Sequence, residues 1–220
     1  MGGWGEFGAA MTVFLASHAL SVRPAMKTPL VRLLGRAGFT FAYSVLSLVQ
    51  LGWLIVAAGR APWVPLWPLE DWIRWLAGAL MLAACLVAAQ ALMGANPLSF
   101  GSRAVPFDPE RPGIAGLSRH PLLLALTLWA LAHLLANGDL SHLLLFAPMA
   151  GFALAGMPMI DRRKRRQMPD WAAQARNAPL LGCPRGGLPW APMVVGVALW
   201  LGLLALHPLV FRVTPLLIGR

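Results

Sequence analysis

The chain contains five histidines, which are its best candidates for a functional role. A neutral imidazole can accept or donate a proton and can bind a metal ion. Two of them lie on one apolar stretch, residues 116–139, where His120 precedes Pro121 and His133 follows thirteen residues after His120. With a helical rise of 1.5 Å per residue, the two rings lie roughly 20 Å apart along the axis. They cannot share one metal ion, so each needs its own explanation.

The ends of this stretch carry clear helix signals. Pro121 suits the first turn of a helix, where its missing N–H would have no partner in any case. Asn137, Gly138 and Asp139 form a turn signal typical of a helix end. We therefore predict a helix over residues 121–136, with His120 at its start.

The composition indicates an integral membrane protein. Of the 220 residues 58% are hydrophobic and only 12% are charged, with a mean hydropathy of +0.66, whereas soluble domains contain about 25% charged residues. The net charge of +10 could suggest nucleic acid. However, the basic residues fall in short segments between apolar spans, so the predicted partner is the lipid bilayer and not nucleic acid. With two cysteines and no C-x-x-C-H motif, covalent c-type haem is excluded.

Apolar segments long enough to cross a bilayer recur along the chain. We predict an all-α, polytopic fold with six transmembrane helices in one bundle, and a single transmembrane domain over residues 1–220. The six spans are expected at residues 4–20, 38–58, 72–93, 121–136, 142–160 and 191–213.

The distribution of basic residues predicts the orientation. The connections at residues 21–36, 94–120 and 161–190 hold 14 of the 18 lysines and arginines. Since basic residues concentrate in cytoplasmic loops, these three connections are predicted to be cytoplasmic. Both termini of the multi-pass chain are then periplasmic.

This topology places His18 and His120 in the same, cytoplasmic half of the bilayer, and ionisable residues there are functional hypotheses by default. One reading makes them the axial ligands of one b-type haem, with Arg23 and Arg119 available to its propionates. The other reading has each histidine at the interface, hydrogen-bonded to a loop carbonyl, and the residues alone leave both open. For the remaining three we expect structural roles: His133 in helix packing, His142 at the start of its helix, and His207 at the outer interface.

Three segments carry a family resemblance: FLASHAL, GLSRHPLLLALTLWALAHLLANGD and IDRRKR, within about residues 10–180. They resemble the NnrU family of bacterial membrane proteins. The resemblance implies an inner-membrane protein connected with denitrification and nitric oxide metabolism, whose partner would be a respiratory or denitrification complex.

The chain is also similar to plant 15-cis-zeta-carotene isomerase, which implies haem b held by His18 and His120. A redox-linked isomerase or oxidoreductase acting on a lipophilic small molecule would follow. Leu117 replaces a cysteine that exchanges ligands in the isomerase, so that chemistry is not implied.

Two alternatives come from different classes of protein. The SRHP step at a helix start is similar to that of integral membrane S-adenosylmethionine-dependent methyltransferases, in which Arg119 and His120 would contact the cofactor. The E-x-x-L element of those enzymes is missing, since the later helix ends at Ile160-Asp161-Arg162-Arg163. The other alternative is a non-catalytic assembly or regulatory subunit whose histidines are structural.

Overall fold

The computed structural model describes residues 3–21, 23–101, 106–184 and 186–215. Over these ranges the regular structure is α-helical and no strand is formed, which confirms the predicted all-α class. The helices are α1 (Trp4–Ser21), α2 (Pro24–Arg60), α3 (Asp71–Met93), α4 (Ile114–Leu117), α5 (Pro121–Asn137), α6 (Leu140–Gln167), α7 (Trp171–Gln174) and α8 (Trp190–Phe211).

Several helices have the length and apolarity needed to cross a membrane. In the described part of the chain four satisfy both conditions: Ala25–Arg60, Asp71–Met93, Leu140–Gln167 and Trp190–Phe211. Helix α5 is apolar but has 17 residues, which is fewer than the roughly 20 that a helix needs to cross the hydrocarbon core of a bilayer. The protein is therefore a multi-pass membrane protein, while the number of six spans stays a prediction.

Helix α2 begins earlier than the predicted second span. The segment expected to connect the first two spans is helical from Pro24, and the helical geometry is interrupted at Gly35, with φ 71° and ψ 168°. A positive φ is sterically open to glycine and costly for other residues, which explains why the break falls there. The basic residues Lys27 and Arg32 thus lie on a helix and not in a loop.

The chain divides into two compact units. The first unit comprises Met1–Trp67 with Asp139–Leu145, and the second comprises Pro68–Gly138 with Phe146–Arg220. The single domain over residues 1–220 stays a prediction.

In the first unit α1 packs against α2. Phe7 and Ala10 of α1 are buried, as is Leu54 of α2. Near the ends of the two helices, Glu6 accepts a hydrogen bond of 3.2 Å from Arg60. The predominantly apolar contact holds His18, near the end of α1, beside the middle of α2.

In the second unit α3 packs against both α5 and α8. Close approach at α8 is possible because Gly196 has no side chain: a Cβ there would lie 2.8 Å from the Cα of Leu86. Leu123 of α5 packs with Ala153 and Met157 of α6. Helix α5 begins at Pro121 and ends at Asn137, followed by Gly138 in the left-handed conformation with φ 67°, so the predicted start and stop are confirmed.

Candidate functional site

A buried ionic network surrounds His120 in the second unit. The Nε2 atom of His120 lies 2.9 Å from Oδ1 of Asp161, and Nε of Arg119 lies 2.9 and 3.0 Å from the two oxygens of the same carboxylate. Nδ1 of His120 lies 3.0 Å from the hydroxyl oxygen of Ser99. The His120 side chain is fully buried, and those of Asp161 and Arg119 are 8% and 13% exposed. Charged side chains are rarely buried unless they are paired, so the ion pair between Arg119 and Asp161 explains why both can be buried.

The network defines the protonation of His120. The Asp161 carboxylate, paired with Arg119, accepts hydrogen bonds and donates none, so Nε2 of His120 carries the proton that faces it. Nδ1 is then the acceptor for the Ser99 hydroxyl. A neutral imidazole in this setting exists as a single tautomer, with its proton on Nε2 and its lone pair on Nδ1.

Two segments distant in sequence hold Arg119 in place. Its backbone N–H donates to the carbonyl of Pro179 at 2.9 Å, and its Nη1 donates to the carbonyl of Ala178 at 3.1 Å. Its own carbonyl accepts from Nδ2 of Asn96 at 2.9 Å. The guanidinium also lies 5.6 Å from the ring centroid of Trp171, within cation–π range. The irregular segments before α4 and after α7 therefore position the arginine and, through it, the carboxylate.

Both ring nitrogens of His120, which is predicted to be an axial haem ligand, have protein partners. An imidazole that binds iron needs one nitrogen with a free lone pair, and here Asp161 and Ser99 occupy both nitrogens. Arg119 is likewise committed to Asp161 instead of being available to a propionate. Within the ranges that the structure describes, no group of three or more histidine, cysteine or acidic residues could hold a metal ion.

The hydrogen bonding of His18, in the first unit, is that expected of a histidine that binds a metal ion. Its Nδ1–H donates to the carbonyl of Phe14 at 2.7 Å, which leaves the lone pair on Nε2, and no hydrogen bond to Nε2 comes from the described residues. Metal-binding histidines typically donate their other N–H to a carbonyl in this way. Polar neighbours are present: Ser17 donates to Oε1 of the buried Gln50 at 2.7 Å, and the Tyr43 ring lies 5.5 Å from the imidazole.

The predicted pairing of His18 with His120 on one iron stays a prediction, because the two residues belong to units that are described separately. Arg23, the other residue predicted to bind the cofactor, lies exposed between α1 and α2. Among the ion pairs of the described residues, none involves Arg23. Its guanidinium is therefore available for an anionic group.

The remaining histidines have local partners. His133 donates from Nδ1 to the carbonyl of Trp129 at 2.9 Å, and its ring lies 5.1 Å from that of Phe146. Nδ1 of His142 lies 2.5 Å from Oδ2 of Asp139, the residue before α6, which agrees with its expected place at the helix start. Nδ1 of His207 donates to the carbonyl of Val213 at 2.9 Å.

Asp161 and Ser99 are the members of the network that sequence reasoning missed. Asp161 stands beside a run of basic residues, a context typical of a solvated helix end. A usable signal was present in the helical spacing, because Ala150, Ala153, Met157 and Asp161 recur every three or four residues and all are buried. An acidic residue that continues a buried apolar face requires a basic partner.

These apolar helices, with charged residues buried in one ionic network, define a polytopic helical membrane protein. Within that class, the family model described as NnrU protein matches residues 6–215, and the chain belongs to the NnrU family. The match is longer than the expected region of about residues 10–180 and includes α8. No curated protein and no solved structure matches the chain.

Proposed function

We propose that this NnrU-family protein is a redox-linked, b-type haem-binding protein of the bacterial inner membrane that serves nitric oxide metabolism. The observation that carries the proposal is the setting of His18, whose Nδ1–H is fixed on the Phe14 carbonyl so that the Nε2 lone pair is available. The buried Gln50 and the Tyr43 ring beside it supply polar neighbours within an otherwise apolar contact between helices.

His133 and His207 make the same kind of bond from Nδ1 to a backbone carbonyl, so this bond alone does not distinguish His18. Two further features favour His18. One is the pair formed by Ser17 and the buried Gln50 beside the ring, and the other is the FLASHAL segment that carries the family resemblance. The same substitution at His18, His133 and His207 can therefore be compared, because all three rings make this bond.

In this proposal His18 is the ligand that the chain provides. Asp161 and Ser99 hold both nitrogens of His120, and one of these contacts would have to break before iron could bind there. A haem held by His18 would supply electron transfer and a binding position for a small molecule such as nitric oxide. Arg23, exposed and close in sequence to His18, is available to pair with a propionate.

The inner-membrane location and the periplasmic termini are part of the same proposal. They are supported by the concentration of 14 of the 18 basic residues in residues 21–36, 94–120 and 161–190, which lie between the predicted spans. A respiratory or denitrification complex would be the electron-transfer partner.

The test is the absorption spectrum of the detergent-solubilised, haem-supplied protein. We expect a Soret band that shifts on reduction with dithionite and is lost in His18→Ala. The variants His133→Ala and His207→Ala, which remove histidines with equivalent local bonds, should retain it. A Soret band of full intensity in His18→Ala would refute the proposal.

No observation favours the methyltransferase alternative. In that reading Arg119 and His120 would contact S-adenosylmethionine, but here both side chains are bound to Asp161. Saturable binding of S-adenosylmethionine to colourless protein would support it nonetheless. Stoichiometric co-purification with another complex, without any bound cofactor, would support an assembly subunit.

A further inference from the structure

Near its C-terminal end, helix α6 has one buried face and one exposed face. The face with Ala153, Met157 and Asp161 is buried. The opposite face is exposed, beginning with Phe152 and Met159, which are 64% and 65% exposed. It continues one to two turns later with three exposed arginines, at positions 162, 163 and 166. Residues three or four apart share one side of a helix, so a single stripe changes from apolar to cationic along α6.

A surface cleft occurs where this change takes place. It has a volume of about 340 Å³ and is lined by Met159, Arg162, Arg163, Arg166 and Gln167. We call these five residues the basic cleft. Its walls combine one apolar side chain with three guanidinium groups, so a ligand that fits both must be an amphiphile with an anionic end.

Within the described ranges, the guanidiniums of the basic cleft differ from the neighbouring cations in having neither an ion-pair partner nor an aromatic partner. Arg165 lies over the Trp171 ring at 4.2 Å, and Nζ of Lys164 donates to the carbonyl of Pro97 at 2.5 Å. Arg162, Arg163 and Arg166 take part in none of the ion pairs found within the described ranges. The nearby carboxylate of Asp161 is bound to Arg119 instead. Three positive charges are thus left without a protein anion.

We propose that the basic cleft binds the phosphate group of an anionic phospholipid, whose acyl chain lies along Met159 and Phe152. Arginine suits this role because its planar fork donates two parallel hydrogen bonds to phosphate oxygens. The exposed apolar residues that precede the arginines on the same face of α6 favour a lipid over a soluble phosphate. The cleft lies at the end of a helix long and apolar enough to span the bilayer, where lipid headgroups are found.

The test is lipid binding to the full-length protein, delipidated in detergent and titrated with phosphatidylglycerol or with phosphatidylcholine of the same acyl chains. Bound lipid is counted by native mass spectrometry. We expect saturable binding of phosphatidylglycerol that phosphatidylcholine does not match. Each arginine that donates a charge-assisted hydrogen bond to the phosphate contributes about tenfold to affinity, so Arg163→Gln/Arg166→Gln should weaken binding by about 100-fold.

Two variants distinguish a specific phosphate-binding site from non-specific attraction between the anionic lipid and the positive charge of the protein. The control Arg165→Gln/Arg176→Gln removes the same charge from arginines that already have partners, Trp171 and Glu110, and should bind like the wild type. Arg163→Lys/Arg166→Lys keeps the charge but removes the planar fork, and should bind several-fold more weakly. Equal losses in the glutamine pair and its control, or no loss in the lysine pair, would overturn the proposal. So would inorganic phosphate that displaces the lipid at equal concentration.

Discussion

Asp161→Asn is the substitution that most directly tests the buried network. It keeps the shape of the side chain but removes the negative charge that Arg119 binds through two nitrogens. The guanidinium would then remain in its position, 13% exposed, with its charge uncompensated. The amide oxygen of the new side chain could still accept from Nε2 of His120, so the effect reports mainly on Arg119.

The expected magnitude follows from burial. Removing one partner of a buried ion pair destabilises a protein by about 3–5 kcal/mol, because the other charge stays buried and unpaired. For a chain of this size each kcal/mol lowers the melting temperature by about 2–4 °C. Asp161→Asn should therefore lower the melting temperature by about 6–20 °C.

The measurement is the thermal unfolding of the purified protein in detergent, followed by circular dichroism. Glu110→Gln is the matched control, because it removes a carboxylate from the pair with Arg176, in which both side chains are 63% exposed. An exposed pair contributes about 0–1 kcal/mol, so that variant should melt close to the wild type. Adding Arg119→Met to Asp161→Asn should recover part of the loss. If both single variants melted alike, the structural role of the buried pair would be refuted.

Two further predictions concern helix packing and capping. Gly196→Ala should destabilise the protein by about 1–3 kcal/mol, because the added Cβ would meet the Leu86 backbone at 2.8 Å. Gly202→Ala on the same helix meets nothing within 4 Å and should be neutral or stabilising in the same melting assay, so equal effects would contradict the close contact. Asp139→Ala should cost about 0.5–2 kcal/mol, since Oδ1 of Asp139 accepts from the backbone N–H groups of Ser141 and His142 at the start of α6. Asp139→Asn should retain most of that stability, and a loss as large as that of the alanine variant would rule out backbone capping as the cause.

Local signals in the sequence predicted much of the fold. Pro121 and Gly138 mark the ends of α5 because one lacks an N–H and the other adopts a positive φ freely. The length of α2 was not predicted, because its first part is basic and reads as a connection. A helix with charged residues on exposed faces is stable all the same, and these residues are exposed here.

The site was predicted less completely, because its contacts join residues far apart in the chain. The role of His120 at the start of α5 depends on Asp161, 41 residues later, and on Ser99, 21 residues earlier. Hydropathy and charge counts contain no information on which distant side chains meet. For His18 the contact of the imidazole is local, four residues away at Phe14. Its role as a ligand was predicted from its expected depth in the bilayer and from the family resemblance, and it stays a prediction.

The spin state of the ferric, haem-supplied protein tests the central claim most directly, and electron paramagnetic resonance measures it. With His18 as the axial ligand and His120 held by Asp161 and Ser99, the account predicts a high-spin signal that is unchanged in His120→Ala. A low-spin signal in the wild type that becomes high-spin in His120→Ala would mean that both imidazoles bind the iron. That result would contradict the proposal that His18 binds the iron without His120.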